Sequence, residues 1–587
     1  MKNMRSFLLA CGLLPFLPGP VSGNTTAPPD QLFPENTDAE NRKEIAELEQ
    51  EAEQGNTNAQ CRLACLYSEG KKVPKNTEKA FSWASRAARQ GSPEGMFLLF
   101  NCYYLGIGTA RNEEKASDWL IQSAMQGYPN AQFNLGVLYA QAEAPLNNPQ
   151  QTVLWYRRAA EQGYANAQHN LGSCYLHGNG TDQDEKKAAE WFLKAARQGL
   201  PESQLILGIL HIKGEGVPQD DAKAFEWISR AAQQGLASAQ YNLAILYKDG
   251  RGVTADQGKA REWIRKAADQ GDTEAEKVLG GWYYKGFVVE KNGRKAVEWL
   301  TRAARKGHAE AQYQLGLFHA AEDGVEHDPS QAIRWLTKAA EQGHANAQES
   351  MGTAYLNGLG VNRDPQKAKD WLTRAALKGQ REAQYQLASL YAGGKGVAYN
   401  PALMAEWAAK AAEQGHDKAQ LMIGEACLKG LGVEKNGEKA VEWFARAAAQ
   451  GNVDAWNAMG VCYFEGIGVA KDLKEAATWF QKAAATEDPD AQFNMALIYY
   501  SNDPPRIPET ITWYRKAAEQ GHLQAQANLG VLYYKGEGIE KNLPKAAKWI
   551  RKAYEREYPH AVEIMNILKE KEKKGDPEAL RFMNAFK

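Results

Sequence analysis

Histidine is the residue of this sequence that most readily suggests metal chemistry. Of the ten histidines, four share one local setting, directly after a glycine: His308, His344, His416 and His522. A zinc ion needs its nitrogen donors within about 2.1 Å, whereas copies of one position on neighbouring helical hairpins lie at least a helix diameter, roughly 10 Å, apart. The sequence contains no His-Glu-x-x-His string. We therefore expect loop or cap residues here, and no metal site.

Cysteine offers a second route to metal or redox chemistry. Six cysteines follow Cys11, and three of them, Cys102, Cys174 and Cys462, stand where equivalent stretches of the chain carry an apolar residue. A free cysteine in such a place behaves as a small core residue. A disulfide between Cys65 and Cys102 is the alternative to this interpretation.

One serine lies in a string known from nucleophilic catalysis. Residues Ser68 to Lys71 spell the Ser-x-x-Lys of penicillin-recognising enzymes. That motif must open a helix so that the lysine follows one turn after the serine. Here Ser68 is expected at the end of a helix, which Gly70 breaks. The sequence therefore predicts no catalytic residue at this motif.

Paired glycines superficially resemble loops that hold phosphate. Examples begin at Gly178, Gly358 and Gly536. No strand is expected before any of them, and a tight turn between two helices needs the positive φ that glycine adopts without strain. We interpret the pairs as turns and expect no cofactor.

The tryptophans reveal the elements that position all these residues. Trp83, Trp119, Trp155 and the following tryptophans up to Trp479 recur every 36 residues, and Trp513 then follows after 34. Within one period, two stretches show the 3.6-residue spacing of amphipathic helices. The pattern predicts an all-α fold, a right-handed α-solenoid of about fourteen helix-turn-helix repeats.

Helix ends are marked by the usual start and stop residues. Asn148-Pro149 and equivalent pairs place an N-cap and an N1 proline six residues before a tryptophan, where the second helix, helix B, begins. Pro93 and its equivalents begin the first helix, helix A. Gly91 and its equivalents suit the left-handed end of helix B. Each hairpin leaves an apolar stripe that only stacking on its neighbours can bury.

This pattern resembles a known repeat. The residues from Ala237 to Leu243, the glycines Gly250 and Gly252, and Trp263 with the alanines that follow it are similar to the Sel-one-like repeat, a relative of the tetratricopeptide repeat. The resemblance implies an adaptor or scaffold in a secreted, periplasmic or endoplasmic-reticulum setting. Cysteine-rich members pair regularly spaced cysteines, a spacing absent here, and some carry a β-lactamase label. The alternative function is therefore a cell-wall or β-lactam-acting hydrolase.

The chain ends differ from the repeats. Residues 1–23 combine Lys2 and Arg5 with an apolar run, which predicts a signal peptide. A lipoprotein anchored through Cys11 is the alternative. We predict a flexible linker at 24–38, an N-terminal capping helix at 39–56, the solenoid at 57–558, and a C-terminal capping helix and tail at 559–587. The protein is thus expected to be secreted or periplasmic.

The net charge of the chain argues against a nucleic-acid partner. The net charge is -1, and removing Lys2 and Arg5 takes it to -3, so no large positive field attracts nucleic acid. No segment after residue 23 has the roughly 20 apolar residues of a membrane helix. We expect a protein or peptide partner, no nucleic acid and no membrane span.

Helix A is the expected binding surface. Amides recur just before a Leu-Gly, Leu-Ala or Met-Ala pair, and an amide can donate to and accept from a peptide backbone: Asn134, Asn170, Asn242, Gln314, Gln386, Asn494 and Asn528. The resemblance supports this assignment, because tetratricopeptide repeats grip ligands with an asparagine at the matching place. The alternative is that the amides cap or bridge helices within the scaffold.

An aromatic residue precedes several of these amides: Phe133, Tyr241, Tyr313, Tyr385 and Phe493. They form either a ladder facing a ligand or a packing contact between adjacent A helices. The sequence as a whole favours an exported, non-catalytic adaptor that binds other proteins or peptides along the concave surface of the solenoid.

Overall fold

A computed structural model describes residues 36–70, 72–141, 148–321, 327–393, 396–502 and 504–586. Within these ranges the chain forms 31 helices and no strand. The predicted all-α class is confirmed. The predicted signal peptide and most of the predicted linker lie outside the described residues.

The chain divides into two compact units, one up to Trp299 and one from Leu300. The first contains α1 (Asn36–Glu53), α2 (Thr57–Glu69), α3 (Thr77–Arg89), α4 (Pro93–Leu105), α5 (Glu113–Met125), α6 (Pro129–Gln141), α7 (Pro149–Glu161), α8 (Ala165–His177), α9 (Glu185–Arg197), α10 (Pro201–Lys213), α11 (Asp221–Gln233), α12 (Ala237–Asp249), α13 (Gln257–Asp269) and α14 (Thr273–Lys285). The boundary falls within α15 (Gly293–Arg305).

The second unit continues the same alternation of helices. It contains α16 (Ala309–Ala320), α17 (Pro329–Glu341), α18 (Ala345–Asn357), α19 (Pro365–Leu377), α20 (Arg381–Gly393), α21 (Pro401–Glu413), α22 (Asp417–Lys429), α23 (Gly437–Ala449), α24 (Val453–Glu465), α25 (Leu473–Ala484), α26 (Pro489–Tyr500), α27 (Ile507–Glu519), α28 (Leu523–Lys535), α29 (Leu543–Tyr554), α30 (Pro559–Lys573) and α31 (Pro577–Phe586). The even-numbered helices α2 to α28 are helix A, and the odd-numbered helices α3 to α29 are helix B.

Capping residues set the helix boundaries as predicted. The Asn148 side chain accepts a hydrogen bond from the backbone N–H of Gln151 at the start of α7, and Pro149 is its first residue. Ser92 does the same for α4. Each cap satisfies a backbone donor that the first helical turn leaves unpaired.

The paired glycines form the turns from helix A to helix B. Gly178 ends α8 with φ 69°, and Gly180 follows with φ 74°. A Cβ atom on Gly180 would lie 2.1 Å from the backbone oxygen of Pro149 at the start of the preceding helix B. Glycine is therefore required here by conformation and by close packing, and the turn interpretation is confirmed.

Small residues let the two helices of a hairpin approach closely. The alanine pair that follows most tryptophans of helix B is almost fully buried, as at Ala195 and Ala196. On helix A, a Cβ atom on Gly424 would lie 2.5 Å from the ring of Phe444 on helix B. Aromatic or aliphatic side chains of helix B thus fill the space that glycine leaves on helix A.

A ladder of glutamines links successive repeats, and sequence reasoning missed it. The buried Gln132 on α6 donates from Nε2 to the backbone oxygen of Ala124 on α5 at 3.2 Å. Its Oε1 accepts a hydrogen bond from Nε2 of Gln162, at the end of α7, at 2.8 Å. The pair recurs at Gln168 with Gln198 and at Gln204 with Gln234. The signal was in the sequence, since both glutamines recur in register.

The C-terminal end differs from the expected tail. After α30 the chain forms a further helix, α31, which packs against α29 and buries Phe582 and Met583. Asp576 caps α31 by accepting hydrogen bonds from the backbone N–H groups of Glu578 and Ala579. An Asp-Pro start and an apolar stripe thus extend helical packing almost to the end of the chain.

Candidate peptide-binding face

The candidate site is the solvent side of helix A, which we call the helix-A face. It comprises the sixth and ninth residues of each helix A. The seven predicted amides all occupy the sixth position and are all half-buried. A half-buried amide can bond to the scaffold and still contact a ligand.

Two of these amides bond to their own helix. Asn134 donates from Nδ2 to the backbone oxygen of Asn130 at 2.8 Å, and Asn242 donates to that of Ser238 at 2.8 Å. Such bonds reach back one helical turn and join no second helix. They orient the side chain and leave its position on the surface unchanged.

Four amides contact other side chains. Gln314 donates to the carboxylate of Glu310 at 2.7 Å. Gln386 accepts a hydrogen bond from Oγ1 of Thr353 on the preceding helix A at 3.0 Å. Asn528 donates to the Tyr514 hydroxyl at 3.2 Å, and Asn170 hydrogen-bonds the phenol of Tyr156, which lowers a pKa otherwise raised by burial.

Three of the seven amides, Asn170, Gln386 and Asn528, thus bridge two helices. Asn134, Asn242 and Gln314 bond within their own helix, and Asn494 lies half-buried in the same register. The role of all seven in binding a peptide stays a prediction.

Most of the aromatic residues at the fifth position pack between adjacent A helices. The ring of Phe133 lies 5.2 Å from that of Tyr164, which directly precedes the next helix A. In the second unit the residue before the next helix A is a histidine in these contacts. Tyr385 stacks on His416 at 4.4 Å and Phe493 on His522 at 4.5 Å. These rings hold neighbouring repeats together, as the alternative interpretation predicted.

The four histidines are helix N-caps, as expected. Nδ1 of His344 accepts a hydrogen bond from the backbone N–H of Ala347 at 3.2 Å, so the proton of the neutral ring lies on Nε2. Nε2 in turn lies 2.8 Å from the carboxylate of Glu310, the second residue of the preceding helix A. His416 and His522 repeat the arrangement with Glu382 and Asp490.

Within the described ranges, no group of three or more His, Cys, Asp or Glu side chains is placed to hold a metal ion. The same part of the chain contains no helix long and apolar enough to cross a membrane.

The six cysteines after Cys11 are all free thiols. Cys102, Cys174 and Cys462 are buried, which confirms their place in the core. The possible bridge between Cys65 and Cys102 is not formed. Burial raises the pKa of both thiols to about 12, which disfavours the nucleophilic thiolate.

Ser68 lies in the last turn of α2, and Gly70 ends this helix with φ 73°. Lys71 is outside the described residues. Ser68 therefore opens no helix, and the geometry gives the hydrolase alternative no support.

Helix B presents a different surface. In repeat after repeat, a lysine or arginine three residues after the tryptophan lies over the indole, from Lys194 over Trp191 at 3.6 Å to Arg374 over Trp371 at 4.7 Å. The cation covers the ring and keeps its own charge in water. The outer side of helix B is thus a charged, solvated surface.

The repeat itself decides the family. Fourteen stretches of the chain match the model of the Sel1 repeat: residues 57–92, 93–128, 129–164, 165–200, 201–236, 237–272, 273–308, 309–344, 345–380, 381–416, 417–452, 454–485, 489–522 and 523–558. The chain belongs to the Sel1 repeat family. Sel1 repeat proteins are typically scaffolds for protein interactions.

Two solved structures are similar to this Sel1 repeat chain. One is c5321, described as a protective antigen present in uropathogenic Escherichia coli strains and displaying an SLR fold. It is 33% identical, with a TM-score of 0.57, over 80% of this chain and 96% of c5321. The other is a Sel1 repeat protein from Oxalobacter formigenes, 34% identical, with a TM-score of 0.41, over 52% of this chain and 91% of that one. No match was found among curated proteins.

Proposed function

We propose that this Sel1 repeat protein is an exported adaptor that binds extended segments of other proteins along the helix-A face. The observation that carries the proposal is the ninth position of helix A, which is at least partly exposed in every repeat. It holds an uncharged residue in all repeats except one: Cys65, Asn101, Val137, Ser173, Ile209, Ile245 and Gly281 in the first unit, and Leu317, Thr353, Ser389, Glu425, Val461, Leu497 and Val531 in the second.

An uncharged, half-exposed row is unusual on a chain with 24% charged residues. Exposed apolar surface rimmed by polar groups is characteristic of interaction sites. The half-buried amides at the sixth position lie one turn away and supply donors and acceptors for a peptide backbone. On helix B, by contrast, lysine or arginine covers the tryptophans, as at Trp227 and Trp263.

Export is supported by the signal-like residues 1–23. A further support is the similarity to c5321, which is described as a protective antigen. Edman sequencing of the protein recovered from its native host would test this part, and a mature chain beginning near Asn24 is expected.

Selection of unstructured octapeptides from a display library on the full chain tests the binding. The variant Ile209→Arg with Ile245→Arg places two charges in the uncharged row and should weaken the selected peptides by more than tenfold. The control, Gln233→Arg with Gln257→Arg, adds the same charges at exposed positions of helix B and should leave affinity unchanged. Equal effects of the two variants, or no selected peptide, would refute the proposal.

The predicted amides give a finer test with the same peptides. Replacing Asn134, Asn170 and Asn242 together by alanine should weaken binding several-fold with little change in folding. The hydrogen bonds of Asn134 and Asn242 stay within one helix, and Asn170 gives up a single hydrogen bond to Tyr156. Unchanged binding would remove the amides from the proposed site and leave the uncharged row in place.

A further inference from the structure

A cleft opens on the helix-A face of the first unit, between α2 and α4. It encloses about 640 Å³ of empty space, part of it open to solvent. Its walls are completed by α3 and by the residues around the start of α6. The polar side chains that line it include Ser68, Glu94, Asn101 and Asn130, and Phe97 with Leu98 forms an apolar side.

Glu94, the second residue of α4, places its carboxyl group in the lining of this cleft. It is half-buried, and its side chain makes no hydrogen bond or ion pair with any other residue that the structure describes. Burial raises the pKa of its carboxyl group, and no cation among the residues described around it offsets that effect. The carboxylate is therefore partly stripped of water without a compensating positive charge.

Three other repeats satisfy the carboxylate at this position internally. Glu310, Glu382 and Asp490 are each the second residue of a helix A, and each lies within 3.2 Å of the Nε2 atom of the histidine before the next helix A. At the corresponding place beside Glu94 the chain has Tyr128, whose ring lies 5.4 Å from that of Phe97 and is tilted against it. A phenol brings no positive charge.

We propose that this cleft binds the basic side chain, lysine or arginine, of a peptide held on the helix-A face. The proposal rests on the proposed function and names the chemistry of its ligand. The positive group would meet Glu94, while Asn101 and Ser68 accept further hydrogen bonds. The described lining residues include no lysine or arginine that would compete.

The cleft also suits the aliphatic stem of such a side chain. Lysine and arginine bury their methylene groups along apolar surface while the charge reaches a polar group. Leu98, Phe97 and Cys65 provide that surface, and the rings of Phe97 and Tyr128 can attract a cation placed over their faces. An acidic or purely apolar side chain would leave Glu94 unpaired.

The test uses the octapeptides selected on the full chain. Selected peptides should share a lysine or arginine at one position, and replacing it by norleucine, which keeps the stem and removes the charge, should weaken binding at least tenfold. In Glu94→Gln the lysine and norleucine peptides should bind within twofold of each other. The matched control is Glu202→Gln, at the same position of α10, where the full preference should remain.

The outcomes separate the two proposals. Selected peptides without a common basic residue, or equal effects of Glu94→Gln and Glu202→Gln, overturn the cleft and leave peptide binding intact. Failure to select any peptide overturns the proposed function itself.

The charge preference of the cleft can also be measured without a peptide, through Cys65 in its lining. The small thiolate fraction that burial leaves attacks a methanethiosulfonate reagent, forms a mixed disulfide and releases methanesulfinate, and this fraction cancels from a ratio of two rates. Relative to the same ratio for free cysteine, the cationic aminoethyl reagent should modify Cys65 at least tenfold faster than the anionic sulfonatoethyl reagent, as judged by mass spectrometry of the digested protein. This ratio should fall in Glu94→Gln, and a ratio of one in the unaltered protein contradicts the proposal.

Discussion

Two rows of contacts join neighbouring repeats, and they differ in how strictly they repeat. The inner row is the glutamine ladder, in which buried amides such as Gln168 bond both to the preceding helix B and to the glutamine that ends the next one. The outer row pairs the fifth residue of helix A with the residue before the next helix A, which is tyrosine at 128 and 164 and histidine at 416. The uniform glutamine contacts stabilise the scaffold, whereas the outer contacts vary between repeats and can therefore give individual repeats different binding properties.

The inner row should show the largest effect on stability. Gln168→Met keeps the length of the side chain and removes both ladder hydrogen bonds from a buried site. We expect the free energy of local opening to fall by about 1 to 3 kcal/mol, the usual loss for unpaired buried polar groups. Hydrogen exchange at the backbone amides of α8 and α9 measures it.

The ladder supplies its own control at Gln348. This glutamine donates to the backbone oxygen of Ala340 at 3.0 Å, but its Oε1 atom has no partner because Lys378 stands where other repeats have glutamine. Gln348→Met removes one hydrogen bond and should therefore be the milder change by about 1 kcal/mol. Equal losses at the two sites would show that the second amide of the ladder contributes nothing.

The outer row adds a dependence on pH where histidine occupies it. Burial lowers the pKa of His522 from its ordinary 6.5, against the opposing effect of Asp490. The folded state therefore prefers the neutral ring, whose Nδ1 caps α28 by accepting from Ala525. Its contribution is complete above pH 6.5 and is lost as the pH falls through the folded-state value.

Between pH 7.5 and 5, the opening free energy at the start of α28 should fall by about 1 kcal/mol, the typical worth of an N-cap. Hydrogen exchange corrected for intrinsic rates measures this change. His522→Asn retains a capping oxygen and cannot titrate, so its profile should be flatter over the same range. Parallel profiles for the two proteins would assign the pH dependence to other groups.

The sequence predicted the scaffold well because the scaffold depends on local signals. Spacing or backbone preference alone predicts where a helix begins, continues and ends. The residues that carry these signals in α7 all lie where predicted: Asn148-Pro149, Trp155 and Gly163. The histidine caps followed from the same register.

The glutamine ladder was missed although both glutamines recur in register, since the spacing of Gln132 and Gln162 does not reveal that their side chains hydrogen-bond each other. The cleft could not be predicted from the sequence for a related reason. It depends on Glu94 and Tyr128, which lie near opposite ends of one repeat, and on a tyrosine at the place where three other repeats have a histidine. Neither residue departs from a plausible surface position when its own repeat is considered alone.

Exchanging the two kinds of outer contact gives the most specific prediction. Tyr128→His should place an imidazole Nε2 beside Glu94, as His344 is placed beside Glu310 at 2.8 Å, and so occupy the carboxylate internally. Affinity for a lysine-bearing octapeptide should drop about fivefold, which corresponds to the ~1 kcal/mol of a partly exposed ion pair. Isothermal titration calorimetry measures the change.

The control is Tyr164→His, the same substitution one repeat later. There the second residue of the preceding helix A is Asn130, which is not a carboxylate, so affinity should stay unchanged. If both variants weaken binding alike, ring packing at the junction determines the affinity for the peptide, and the charge of Glu94 does not. Tyrosine and histidine in the outer row would then not differ in their effect on binding.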